Sequence, residues 1–152
     1  MIYIGIVAII FIGDCLIKNY MEKTLAEGEE KEKWNGFIHL RMHHNKGAFL
    51  NAGQKSRAAV ATLSLLLTIG VTAVFALLLG KQGNKMLKTG FSLLLGGAFS
   101  NTYDRLKRKY VVDYFSFHVR WKRLSRVIFN LSDLGIILGA LLVALSAGAG
   151  KR

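Results

Sequence analysis

Four long apolar runs, at residues 1–17, 58–79, 87–103 and 127–149, constrain this 152-residue chain more than any other feature. Each reaches or approaches the ~20 residues that a helix needs to cross the hydrocarbon core of a bilayer, so the pattern predicts four transmembrane helices. The second run carries no charge, the third starts beside Lys85 and Lys88, and the fourth carries a single charge, Asp133. Proline is absent from the whole chain, as suits residues held in uninterrupted helices. The expected architecture is an all-α membrane protein, one domain over residues 1–152, with a small β-rich or amphipathic part at the membrane interface.

The net charge of +12 would suggest nucleic acid as the partner of a soluble chain. In a membrane chain the basic residues gather in short loops at lipid headgroups, where anionic lipid attracts each by about 1 kcal/mol. Membrane lipids are therefore expected partners and nucleic acid is not. The single cysteine, Cys15, excludes an internal disulfide and reads as a small packing side chain. The N-terminal run lacks a basic leader and continues into Asp14 and Lys18 rather than a small-residue cleavage site, so it reads as a retained first span.

Two long loops separate the spans. Residues 19–56 hold a mixed-charge run, Glu27 to Lys33, followed by an aromatic and apolar stretch at 34–40 that suggests interfacial strands. Residues 105–126 alternate aromatics (Tyr114, Phe115, Phe117, Trp121) with basic residues (Arg120, Lys122, Arg123), as in a segment lying on a membrane surface. Four antiparallel spans bring both long loops to one side, and the conspicuous polar residues converge there: Asp14 and Lys18, Asn101 and Asp104, Asn130 and Asp133. Asp133 lies seven residues after Arg126, about 10 Å along a helix that starts at 127. A charge at such depth defaults to a functional or paired role.

Two carboxylates from different helices do not both ionise easily, so one keeps a proton while its partner stays charged. That is what an aspartyl protease needs: one group to take a proton from water and one to support the oxyanion and the leaving amine. Neither a metal nor another cofactor is required. Structural alternatives stand beside this reading. Asp104 could pair with the adjacent Arg105, Asp133 could pair with Lys18, and Asp14 and Lys18, four residues apart, could pair with each other. Asn45, Asn101 and Asn130 could hold an extended peptide or a carboxylate, or simply cap helices. Gly96 and Gly97 allow close helix approach. His39, His43, His44 and His118 lack the companions of a metal site. A small transporter or channel subunit with Asp and Lys along an ion path is the main rival, and a lipid-binding scaffold a weaker one.

The residues resemble those of the lipoprotein signal peptidases (signal peptidase II), a family of four-helix membrane aspartyl proteases. Gly96 to Arg105 resembles the family's Gly-Gly-Ala-x-Gly-Asn-x-x-Asp-Arg block, with Ser100 in place of a glycine. Tyr110-Val111-Val112-Asp113-Tyr114 is similar to Tyr-Val-Val-Asp-Phe, and Phe129-Asn130-Leu131-Ser132-Asp133 to Phe-Asn-x-Ala-Asp. Asp14 and Lys18 match an Asp-x-x-x-Lys of the first helix. Asn45-Lys46-Gly47-Ala48-Phe49 is one residue shorter than the family's Asn-x-Gly-Ala-Ala-Phe, a loop that helps hold the substrate.

The resemblance implies Asp104 and Asp133 as the catalytic pair, with Asp14, Lys18, Asn45, Gly47, Asn101, Arg105 and Asn130 shaping the site. It implies a monomeric enzyme of the bacterial cytoplasmic membrane that removes the signal peptide from diacylglyceryl-modified prolipoproteins, just before the lipidated cysteine. It also implies an active site toward the outer leaflet, whereas a plain count of Lys and Arg would put the long loops in the cytoplasm.

Overall fold

The structure is a computed structural model that describes residues 1–33, 35–47 and 56–149. In chain order it forms α1 (Ile2–Thr24), β1 (Glu30–Lys33), β2 (Ile38–Asn45), α2 (Arg57–Leu79), α3 (Lys85–Lys107), β3 (Val111–Phe117), the short α4 (Lys122–Ser125) and α5 (Leu131–Ala149). The described residues are thus mostly helical, with one small sheet.

Among the described residues three helices are long and apolar enough to cross a membrane: Ile2–Thr24, Arg57–Leu79 and Leu131–Gly148. Their outward faces expose Ile9, Leu66, Leu77 and Leu145, each more than half accessible, which suits lipid rather than water. The fourth expected span, α3, is of another kind. It packs against α1, α2 and α5 together, and it buries Lys88, Ser92, Ser100, Asn101, Thr102 and Asp104. Its polarity is turned inward, so the least apolar of the four long helices forms the centre of the bundle.

Adjacent glycines let α3 take that place. A Cβ on Gly96 would fall 2.9 Å from the Val7 carbonyl oxygen of α1, and one on Gly97 would fall 2.9 Å from Ile136 Cγ1 of α5. Each distance is inside van der Waals contact, so any larger residue would force the helices apart, typically at ~1–3 kcal/mol. On the third side, the hydroxyls of Thr68 and Thr102 are 2.8 Å apart and join α2 to α3.

The two long loops meet in one antiparallel sheet of order β1-β2-β3. The first loop supplies β1 and β2, paired from Glu30 opposite Arg41 to Lys33 opposite Ile38. The second supplies β3, which places Asp113 opposite His43 and Val111 opposite Asn45. The stretch expected to form strands does so from Ile38, while Trp34 lies outside the described residues. Met21, Leu25, Met42, Val112 and Tyr114 make the small core between the sheet and the end of α1.

One helix start differs from expectation. The last helix begins at Leu131, not at 127, because Phe129 is held as an extra strand position against β3. Phe129 N–H donates to the Phe115 carbonyl at 2.7 Å, and Tyr114 and Phe115 N–H groups donate to the Phe129 carbonyl at 2.9 and 3.0 Å. Asp133 therefore sits in the first turn of α5, at the level of the sheet, and not seven residues down a helix.

Candidate active site

Asn130 sets the start of α5 by a reciprocal cap. Its side-chain oxygen accepts the Asp133 N–H at 2.8 Å, and the Asp133 carboxylate accepts the Asn130 N–H at 3.1 Å. This is the capping-box arrangement, with asparagine and aspartate in the two roles. The side-chain nitrogen of Asn130 remains free to turn elsewhere, and it donates to Asp113 Oδ1 at 2.8 Å. One residue thus ties a carboxylate on β3 to a carboxylate on α5.

Each carboxylate has a second asparagine. Asn45 donates from Nδ2 to Asp113 Oδ2 at 3.1 Å, while its own Oδ1 accepts the Gly47 N–H at 3.1 Å in an Asx turn. Asn101 donates from Nδ2 to Asp133 Oδ1 at 3.0 Å. Lys18 Nζ reaches Asn101 Oδ1 at 2.9 Å, which fixes which end of that amide faces Asp133.

Asp113 and Asp133 both line a cavity of about 640 Å³, together with His43, Asn45, Asn101 and Arg105. Leu67, Val71, Leu94 and Ile136 give it an apolar wall. Burial, and then the negative charge of Asp133, push the Asp113 carboxyl up to about 7, against the lowering effect of the Asn45 and Asn130 hydrogen bonds. Burial also holds His43 below its ordinary range. The Arg105 guanidinium donates to the carbonyls of Asn101 and Gly47, both at 3.4 Å, and its buried Nε has no partner among the described residues.

The expected partnership of Asp104 with Asp133 is not what the fold assembles. Asp104 is 1% exposed and does not line the cavity. Its Oδ2 lies 3.0 Å from Lys18 Nζ and accepts the Val112 N–H at 3.3 Å, and its Oδ1 lies 3.0 Å from Arg108 Nε. The physical reason is the turn after α3: the chain reverses beyond Lys107, so the helix end points its carboxylate at α1 while the following strand carries Asp113 to the cavity. Neither structural alternative considered for the two aspartates forms, since Asp104 pairs with Arg108 rather than Arg105, and Lys18 pairs with Asp14 and Asp104 rather than Asp133.

Asp14 and Lys18 do pair, at 2.7 Å and both fully buried. They stand behind the cavity rather than in it. Of the site residues expected from sequence, the fold brings Asn45, Asn101, Arg105 and Asp133 to the cavity wall. It puts Asn130 and Gly47 one hydrogen bond behind it, and leaves Asp14, Lys18 and Asp104 in the buried network. Ala48 and Phe49, from the shortened loop, lie outside the described residues. Asp113, which also lines the cavity, was not among the site residues expected from sequence. Its signal was present, an acidic residue inside the short apolar block Tyr110 to Tyr114. Among the described residues no group of three or more His, Cys, Asp or Glu is arranged to hold a metal ion.

Comparison with known proteins gives a consistent picture. The family profile described as signal peptidase (SPase) II matches residues 6–148. The chain is 33% identical to the lipoprotein signal peptidase of Paraburkholderia phytofirmans over 148 residues, covering 94% of this chain and 82% of that one. It is 36% identical to the Burkholderia thailandensis protein of the same name over 147 residues, covering 93% and 84%. Two solved structures of bacterial membrane enzymes share the fold: one has a TM-score of 0.84 at 23% identity, covering 99% of this chain and 89% of that one. The other has a TM-score of 0.77 at 24% identity, covering 95% and 91%.

Proposed function

The chain belongs to the signal peptidase II family, and from that premise we propose that it removes signal peptides from lipid-modified precursors with Asp113 and Asp133 as its catalytic pair. It is a membrane peptidase, and the ion-path alternative is not favoured. The observation that carries the choice of residues is that these two carboxylates, and not Asp104, share one cavity and one bridging side chain, Asn130.

The pair shares one proton near neutrality, and the raised Asp113 carboxyl is the group that holds it. Asp133 takes a proton from water as the water oxygen attacks the scissile carbonyl carbon, while Asp113 gives its proton to the carbonyl oxygen. When the C–N bond breaks, Asp133 passes its proton to the leaving nitrogen and Asp113 recovers one from the collapsing hydroxyl. Protons and charge balance over the cycle, and no metal or other cofactor enters it. The apolar wall keeps bulk water from the pair and strengthens its electrostatics. Arg105 lines the cavity, and its guanidinium is suited to hold a substrate carbonyl.

The substrate is a prolipoprotein already carrying diacylglycerol on its cysteine, cut just before that residue. The protein works as a monomer of the bacterial cytoplasmic membrane. Its fourth span is α3, whose 23 residues make about 35 Å of helix, against ~30 Å of hydrocarbon. The sheet and cavity face the outer leaflet, where lipid-modified precursors await cleavage. Purified protein incubated with a lipid-modified precursor tests the assignment: Asp113→Asn and Asp133→Asn should each stop cleavage, and full activity in either would overturn it.

A further inference from the structure

Three positions at which this chain departs from the family's sequence blocks converge on one buried carboxylate. Ser100 stands for a glycine, Tyr114 for a phenylalanine and Ser132 for an alanine, and each departure adds a hydroxyl. All three hydroxyls donate to Asp14: Ser100 Oγ to Oδ2 at 2.6 Å, Ser132 Oγ to Oδ2 at 2.5 Å and Tyr114 Oη to Oδ1 at 3.0 Å. They come from α3, α5 and β3, and Asp14 itself from α1. Asp14, Ser100 and Ser132 are fully buried and Tyr114 is nearly so. Three independent polar replacements in a protein core would each be costly alone; directed at a single acceptor, each is satisfied.

The cluster reaches the cavity by two routes. Leu131 N–H, the first of α5, donates to Tyr114 Oη at 2.8 Å and to Asp14 Oδ1 at 3.1 Å, two residues before Asp133. On the other side Lys18 Nζ is shared between Asp14 Oδ2 at 2.7 Å, Ser100 Oγ at 3.1 Å and Asn101 Oδ1 at 2.9 Å. Asn101 then donates to Asp133. The first residue of the Asp133 turn and the Asp133 carboxylate are thus each linked to Asp14, the one through Leu131 N–H and the other through Lys18 and Asn101. Without the three hydroxyls, the Asp14 carboxylate would keep only Lys18 and Leu131 N–H of these donors, and the Lys18 ammonium, which Asp104 also holds at 3.0 Å, would carry more of its charge.

We propose that Ser100, Tyr114 and Ser132 are positioning residues that act as one set, through Asp14, to fix Asp133 in the cavity. The inference rests on the assignment of Asp133 as one of the two catalytic carboxylates. Its consequence is that this chain places its catalytic group with a hydroxyl cage built from three side chains, Ser100, Tyr114 and Ser132.

The test compares Ser100→Ala, Tyr114→Phe and Ser132→Ala, singly, in pairs and together, with a lipid-modified precursor as substrate and kcat and KM measured across pH. Each single variant should lower kcat about tenfold with KM within about twofold, because the substrate contacts are untouched while Asp133 is displaced. The pH limits of kcat should move with it. The pairs and the triple should lose less than the product of the single effects, since all act through one carboxylate. Unchanged kcat and pH limits in the singles overturn the proposal, even if the melting temperature falls, because packing alone explains that result. Strict multiplication of the effects overturns it too. If the triple does not accumulate, the singles and pairs decide. Dead Asp113→Asn and Asp133→Asn variants beside fully active hydroxyl variants would sink this inference alone, whereas active aspartate variants would sink the assignment beneath it.

Discussion

Asn130 and Asp133 cap one another, the asparagine oxygen taking the aspartate N–H at 2.8 Å and the aspartate carboxylate taking the asparagine N–H at 3.1 Å. The exchange starts α5 and aims Asp133 at the cavity in a single step. It also leaves the Asn130 amide nitrogen for Asp113, so a helix cap doubles as the joint between the two acidic groups.

Replacing Asn130 should therefore cost both stability and activity, in separable amounts. Asn130→Ala loses the cap, worth about 1 kcal/mol, and the donor to Asp113. Asn130→Ser keeps a capping oxygen but not the reach to Asp113. Precursor cleavage should fall by roughly a hundredfold in both, while the melting temperature in detergent should drop clearly only for alanine.

Asp104 gives the opposite signature. It neutralises Lys18 and Arg108 in a buried network, and removing one partner of such a set typically costs ~3–5 kcal/mol. Asp104→Asn should thus show a lowered melting temperature and poor yield. Whatever folds should cleave with the pH dependence of the parent, measured by kcat/KM across pH.

The alkaline side of that pH dependence should be set by Asp113. Its carboxyl is pushed up to about 7, so kcat/KM should decline as pH rises past neutrality and the shared proton is lost. The Asn45 hydrogen bond favours the charged form. Asn45→Ala should accordingly raise the Asp113 value further and carry the alkaline limb to higher pH, whereas the limb should stay in place if Asn45 merely held substrate.

Stability should follow the same group. Asp113 binds its proton more tightly in the folded chain than in the unfolded one, so between pH ~4 and about 7 the folded state holds more protons, and stability falls as pH rises through that window. Asp113→Asn removes this loss. The variant should melt higher than the parent at pH 8 and differ least at pH 4, by thermal unfolding in detergent. An equal difference at both would show that Asp113 is not a buried acid with a raised value.

Much of this protein is legible without coordinates because its determinants are local. Apolar run length marks α1, α2 and α5 as helices able to cross a membrane, and the Asp-x-x-x-Lys spacing alone puts Asp14 beside Lys18 on one helix face. The expected close approach at Gly96 and Gly97 follows from the lack of a side chain, although only the fold shows that the two face different helices, α1 and α5. Four residues at the head of the last span were misjudged, since strand pairing of Phe129 with Phe115 is a contact that hydropathy cannot register.

The choice between Asp104 and Asp113 shows where that limit lies. Both are acidic, both follow the same run and only nine positions separate them, so composition and spacing treat them alike. A turn after α3 and the pairing of β3 with β2 send one to Lys18 and Arg108 and the other to the cavity. The sequence by itself determined which runs are apolar enough to cross a membrane and the set of polar side chains that must be satisfied somewhere. The tertiary structure decided which of them meet, because a carboxylate's partner is fixed by chain segments distant in sequence, whose approach no local pattern encodes.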